Sequence, residues 1–318
     1  MLLVFLIFTF ILSFIVLGIS SGLVARAFLG ISRVVEVNEY FISFIFMGVA
    51  TSLPEVFVAI AALINGNADA SIGNVIGANL ANITLVLGLV AYLSGGIELG
   101  SQIPKKIFWT SFIIALLPSF LIFGGGISRI DGILLCLIFL AYAVIFISDS
   151  RLMDGPVRHL PYGVHIFSDL YTNIRNLFVG LTFLVLSSVF IVFFGSSLAQ
   201  YLSLDLLYFS TIFLGLITTL PELLFGVRSA LLSHPTFAVG NLLASVAFNS
   251  TLIPGMLSIF SPIRATISMD VLSFNAGLTF VAFFFLSIFA YSGSRISRNE
   301  GLLLVLLYVL FFVSYFAL

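Results

Sequence analysis

Long apolar stretches separated by short polar breaks divide this chain into ten segments, each near the about 20 residues that a helix needs to cross roughly 30 Å of hydrocarbon. They predict helices at 2–25, 39–66, 70–95, 106–124, 130–149, 177–200, 206–232, 236–260, 269–292 and 298–317. One sizeable polar connection, 150–176, parts five segments from five, so the expected organisation is a first unit at 1–149, the connection, and a second unit at 177–318. The first segment opens MLLVFLIF with no basic residue ahead of it, unlike a cleaved signal, and is expected to remain as a span.

Composition moves the chain out of the soluble class. It is 61% hydrophobic and 8% charged, with a mean hydropathy of +1.27. The fold class expected is therefore an all-α integral membrane protein, with the lipid bilayer as its surroundings. A net charge of −1 argues against nucleic acid as a partner. No obligatory protein partner is evident. The single cysteine, Cys136, can form no internal disulfide. No activated nucleophile, His-rich cluster or phosphate loop stands out, so neither an enzyme nor a bound cofactor is expected.

Basic residues orient the segments. If the helices alternate sides, one side holds Arg26, Arg33, Lys105, Lys106, Arg151, Arg158, Arg175, Arg228, Arg295 and Arg298, and the other only Arg129 and Arg264. By the positive-inside rule the crowded side is cytoplasmic. Both termini are then extracellular in a cell-membrane protein, and the 150–176 connection is cytoplasmic. Trp109, just after Lys105 and Lys106, suits an interfacial anchor on that side.

Two words occur twice. GVATSLPE (48–55) and GNVIGANLAN (73–82) return as GLITTLPE (215–222) and GNLLASVAFN (240–249), every position shifted by 167 residues. A constant shift on that scale marks an internal duplication. With five helices per copy, the second copy enters the membrane from the opposite face. The repeats are then inverted, and such repeats place a shared site near the midplane where matching segments meet.

Acidic residues point to the same place. Of the thirteen, only Glu55 and Glu222 sit deep in predicted spans, and they are repeat mates. A carboxylate near the bilayer centre costs about 2.5 to 3.5 kcal/mol on insertion scales and normally marks an ion or proton pathway. The bland alternative is a protonated glutamate that only glues helices. Pro54 and Pro221 withdraw a donor from the helix, which is expected to free main-chain oxygens near 50–51 and 217–218. Thr51, Ser52, Thr218 and Thr219 add hydroxyls beside them, though an ordinary proline kink with Ser and Thr back-bonding would use the same residues. Carbonyls, hydroxyls and two carboxylates form an all-oxygen set suited to a hard cation such as Ca²⁺ or Na⁺. In the second word, the Gly73/Gly77 and Gly240/Ala244 pairs suffice for close helix packing. Asn74, Asn79, Asn82, Asn241 and Asn249 need partners in hydrocarbon, and Asn82 and Asn249 are taken as ligands or carboxylate orienters.

The paired TSLPE-type and GN-type words over five plus five helices resemble the α-repeats of the cation/calcium antiporter superfamily, most closely the sodium/calcium exchanger branch in its compact prokaryotic form. The resemblance covers almost the whole chain. It implies a ten-helix exchanger whose second, third, seventh and eighth helices form the ion site while the first and sixth slide. It also implies Ca²⁺ bound by Glu55 and Glu222 with backbone oxygens of Thr51 and Thr218. Sodium would use the same carboxylates with Ser52, Thr219, Ser245, Asn82, Asn249 and carbonyls near Gly48 and Gly215. Two positions depart from the pattern: Ala78 stands where the repeat mate has Ser245, which puts the number of sodium ions in question, and Asn249 stands where some relatives carry Asp. Two carboxylates are neutralised by one Ca²⁺, two Na⁺ or two H⁺, so proton/calcium exchange is the second reading. A cation channel is the reading from another class, and inversion of the halves favours alternating access over it.

Overall fold

The computed structural model describes residues 2–35, 43–64, 68–99, 105–151, 166–201, 213–264, 269–293 and 295–314. Nearly all of these are helical. Helix α1 spans Leu2–Val35, well beyond the expected end at 25. The second apolar segment is broken: a π-helical turn at Ser43–Met47 leads into α2 (Gly48–Thr51), and after Ser52 the chain resumes as α3 (Leu53–Ile64). The third holds α4 (Ala68–Ala81), a π turn at Asn82–Val86 and α5 (Leu87–Ser94). Two further helices, α6 (Lys105–Phe123) and α7 (Arg129–Arg151), complete the first half.

The second half repeats the plan. After α8 (Ile166–Tyr201) come α9 (Gly215–Thr218) and α10 (Leu220–Leu231), broken at Thr219. Then α11 (Pro235–Ala247), a π turn at Phe248–Leu252 and α12 (Ile253–Phe260) mirror the third segment, followed by α13 (Met269–Gly293) and α14 (Arg298–Ser314). Helix α8 starts well inside the stretch expected as connection. A helix keeps making its own backbone bonds after its side chains turn polar, so the end of an apolar run marks the edge of hydrocarbon and not the end of the helix. The rest of that connection, 152–165, lies outside the described residues, and with it His159 and His165. His234, the third histidine, is the N-cap residue of α11.

Small strands close the ends of the halves, and they do so crosswise. Strand β1 (Gly96–Glu98), after α5, pairs antiparallel with β4 (Arg295–Ser297), before α14; β2 (Gly126–Ile127), before α7, pairs with β3 (Ile263–Arg264), after α12. Ile97 faces Ile296 and Ile127 faces Ile263, all four buried. Gly95 and Gly96 turn the chain from α5 into β1 at φ of 79° and 126°, a region that only glycine enters cheaply. Arg295 closes that corner by donating from Nη2 to the Gly95 carbonyl at 2.7 Å. The helices that follow β2 and β4 start with matching capping boxes. Ser128 N donates to Asp131 Oδ2 at 2.9 Å and Asp131 N to Ser128 Oγ at 3.2 Å, while Ser297 N donates to Glu300 Oε2 at 2.6 Å and Glu300 N to Ser297 Oγ at 3.4 Å.

Packing follows the same reciprocity. Helices α1 and α8, the opening helices of the two halves, pack along each other; α5 packs on α14 and α12 on α7. Among the described residues, five helices are long and apolar enough to cross a membrane. They fall into two kinds: within an 18-residue apolar stretch of each, 83% of the residues are buried in Ser71–Ser94 and 78% in Pro235–Phe260, against 22% in Leu3–Phe28 and 22% in Arg129–Phe146. The exposed face of α1 is Phe5, Phe8, Ile11, Ile15 and Ile19, whereas the buried centre carries Thr51, Ser52, Glu55, Asn74, Asn82 and their counterparts. An apolar exterior around a polar centre suits a lipid solvent. Trp109 is half-buried, edge-on to Phe283 at 5.8 Å.

Candidate ion-binding site

Both helix breaks fall on one residue with the same geometry: Ser52 at φ −83°, ψ 2° and Thr219 at φ −81°, ψ 0°. This sparsely populated bridge conformation is where turns and many functional residues sit. The breaks fall just after 50–51 and 217–218, where free main-chain oxygens were expected, and Pro54 and Pro221 take the second position of a new helix, where proline has no donor to lose. Some main-chain oxygens there are already engaged. The Ser52 carbonyl accepts from Val56 N at 3.2 Å and the Thr219 carbonyl from Leu223 N at 2.9 Å. The Gly215 carbonyl accepts from Thr219 N at 3.3 Å and from Thr219 Oγ1 at 3.0 Å.

Each glutamate occupies the first turn of the resumed helix, Glu55 in α3 and Glu222 in α10, where the helix dipole favours negative charge. Both are fully buried, as are Thr51, Ser52, Thr218, Thr219, Asn82, Ser245 and Asn249. Glu55 is within electrostatic reach of Glu222. Ser245 is the junction of the polar cluster: its hydroxyl donates to Glu222 Oε1 at 2.7 Å and accepts from Ser52 Oγ at 3.1 Å and from Asn82 Nδ2 at 3.3 Å. Ala78, its repeat mate, is buried and carries no hydroxyl to do the same.

Gly48 and Gly215 have a packing reason. A Cβ on Gly48 would overlap the Ala244 methyl, and one on Gly215 would lie 2.9 Å from the backbone of Gly77. Gly77 and Ala244 are repeat mates, so the break of each half is pressed onto the second word of the other. The same crossing carries bonds that residue types alone left unassigned. Thr51 Oγ1 lies 2.9 Å from Asn241 Oδ1, and Thr218 Oγ1 lies 3.2 Å from Asn74 Oδ1. Asn74 and Asn241 share the 167-residue offset with the glutamates, a signal as plain as the one that singles out Asn82 and Asn249. Asn79 donates to Ser250 Oγ at 2.6 Å, a contact between positions that are not repeat mates.

Several buried oxygens in this centre have no hydrogen-bond partner within the protein: both of Glu55, Oε2 of Glu222, Oδ1 of Asn82 and Oδ1 of Asn249. Neither amide atom of Asn249 is partnered. Unmatched oxygens at this depth are costly unless something positive satisfies them. No cluster of three or more His, Cys, Asp or Glu exists among the described residues, so the donor set is two carboxylates with amide and hydroxyl oxygens. Such a set suits a hard cation.

The model of the sodium/calcium exchanger protein family matches this chain twice, over residues 5–148 and 174–317. The chain belongs to the sodium/calcium exchanger family. Members of this family are transporters, and this member is a multi-pass membrane protein. The chain is similar to the sodium/calcium exchanger MaX1 of Methanosarcina acetivorans, 25% identical over 322 residues that cover 90% of this chain and 91% of that one. It is 25% identical to the putative antiporter CaxA of Alkalimonas amylolytica over 88% of each chain, and 24% identical to the inner membrane protein YrbG of Escherichia coli over 68% of each. Its fold is that of the sodium-calcium exchanger NCX_Mj soaked with 2.5 mM Na⁺ and 0.1 mM Ca²⁺, with a TM-score of 0.77, 24% identity and 98% of each chain covered. The same exchanger soaked with zero Na⁺ and Ca²⁺ superposes with a TM-score of 0.74.

Proposed function

We propose that this exchanger-family transporter is a secondary antiporter that exchanges Ca²⁺ for Na⁺ across the cell membrane by alternating access, with Glu55 and Glu222 as its central ion ligands. The observation that carries the reading is the set of unpartnered buried oxygens on Glu55, Glu222, Asn82 and Asn249, drawn from repeat-mated positions of both halves. Thr51, Thr218, Ser52, Thr219 and Ser245 line the same centre and complete the oxygen set. Gly48 and Gly215 bring the two halves close enough for it to form.

Ten spans arranged as two inverted repeats, 1–149 and 177–318 around the 150–176 connection, agree with the crosswise strand pairs and the doubled family match. Both termini then face outward and the connection inward, from the ten-to-two division of basic residues. The mechanism follows from charge. A buried pair of carboxylates is expensive to carry through an occluded state unless neutralised, and one Ca²⁺ or two Na⁺ does so. An empty, doubly charged site crosses poorly, which couples the two fluxes. Two protons would neutralise the pair as well, and the missing hydroxyl at Ala78 favours testing that load beside sodium.

The experiment is ⁴⁵Ca²⁺ uptake into proteoliposomes loaded with Na⁺ and diluted into Na⁺-free buffer, beside a set carrying only a pH gradient. Uptake that needs internal Na⁺ is expected. Uptake driven by the pH gradient alone would replace sodium with protons, and a current without a counter-ion would replace the antiporter with a channel.

A further inference from the structure

The crosswise Thr–Asn bonds assign a job to two residues that bind no ion in the reading above. Thr51 and Thr218 are buried in the same centre as the carboxylates of the opposite half, Glu222 and Glu55; Ser52, next to Thr51, bonds Ser245, which in turn bonds Glu222. A hydroxyl beside a buried carboxylate ordinarily donates to it, because a charge-assisted bond is about twice as strong as a neutral one. That bond would fill a lone pair that a cation needs. A threonine has a single proton to give, and here an acceptor stands behind each one. Thr51 Oγ1 is 2.9 Å from Asn241 Oδ1 and 3.0 Å from the Met47 carbonyl; Thr218 Oγ1 is 3.2 Å from Asn74 Oδ1 and 3.4 Å from the Gly215 carbonyl. Both asparagines are 1% exposed, so water does not compete for these bonds. Either rotamer of the amide serves: with its oxygen forward it takes the threonine proton, and with its nitrogen forward it donates to the threonine and sends that proton to the main-chain carbonyl.

We propose that Asn74 and Asn241 are positioning residues, each turning the opposite half's threonine hydroxyl so that lone pairs and not a proton face the neighbouring carboxylate. The inference rests on the ion-site reading above. Because each bond crosses between halves, the hydroxyl polarity of one half's threonine is set by the other half.

The test is a set of double-mutant cycles on the full-length protein, read as Ca²⁺ binding by equilibrium dialysis in detergent and as ⁴⁵Ca²⁺ uptake in proteoliposomes. Thr51→Val and Asn241→Leu are each expected to raise the half-saturating Ca²⁺ concentration about fivefold to tenfold, the scale of one hydrogen bond, and Asn241→Leu to keep the maximal rate within about twofold. The Thr51→Val/Asn241→Leu double variant is expected to match Thr51→Val alone, because Asn241 then has nothing left to orient. Thr51→Val/Asn74→Leu is expected to multiply its two effects, and Thr218→Val must show the mirrored pattern. Should Asn241→Leu not yield monodisperse protein, Asn241→Ala enters the same cycle. Multiplicative effects in the crosswise pairs, or a lowered maximal rate at unchanged half-saturation, would overturn the assignment. Wild-type protein that binds no Ca²⁺ would instead remove the ion-site reading and this inference with it.

Discussion

The two halves of this molecule share a backbone plan and part where Ser245 of one answers Ala78 of the other. Both break their helix at the same φ and ψ, both set a glutamate in the next turn, and both send a threonine across to an asparagine of the other half. At Ser245 the second half adds a donor that holds Glu222 at 2.7 Å and gathers Ser52 and Asn82; at Ala78 the first half has a methyl, and both oxygens of Glu55 lack a partner. Duplicated geometry and duplicated chemistry are thus separable. The backbone is held by glycines, prolines and packing, which tolerate little change, whereas a serine-to-alanine difference alters the chemistry and leaves the fold intact.

The largest test of that comparison is at the carboxylates. Glu55→Gln and Glu222→Gln are each expected to lower Ca²⁺ uptake by about 100-fold or more while the protein stays folded by size exclusion, since a neutral amide removes half of the negative charge that balances the ion. Normal flux in either variant would mean that the halves divide the work unequally. Next comes the crossing of the halves. Gly48→Ala is expected to lower stability by about 1–3 kcal/mol in thermal or denaturant unfolding, and Ala244→Gly to restore it by removing the colliding methyl. Gly215→Ala meets backbone at Gly77, so no such relief exists there.

A smaller effect should sharpen the chemical asymmetry. Ser245→Ala makes the second half resemble the first and takes one hydroxyl oxygen out of the proposed sodium donor set, so the half-saturating Na⁺ concentration in exchange assays is expected to rise roughly tenfold. An unchanged value would show that the lone hydroxyl is structural only. Least of all, Ser128→Ala and Ser297→Ala should each cost about 1 kcal/mol in unfolding with flux unaltered, and the two losses should be equal if the capping boxes are equivalent.

Much of this was legible in the chain because its decisive signals are local or periodic. The apolar runs give the helices, and the 167-residue shift gives the pairing of Glu55 with Glu222. What escaped is what depends on the other half. No local pattern says that Gly48 meets Ala244, that Ser245 gathers Ser52 and Asn82, or that Ile97 finds Ile296. The role of the prolines escapes for a different reason: a proline in an apolar run reads as a kink inside one helix, while the chain uses it to begin another. The π turns at Asn82–Val86 and Phe248–Leu252 leave no mark in apolar periodicity.

The strand pairs carry a consequence for descent. Among the described residues neither half closes its own edges: β1 pairs with β4 and β2 with β3. A unit of half this length would leave both of these edges open, so a single-length forerunner is expected to have worked as a pair of chains, each lending its strand to the other. Joining the two copies in one chain makes that partnership permanent and leaves each free to differ from the other, as Ala78 and Ser245 do.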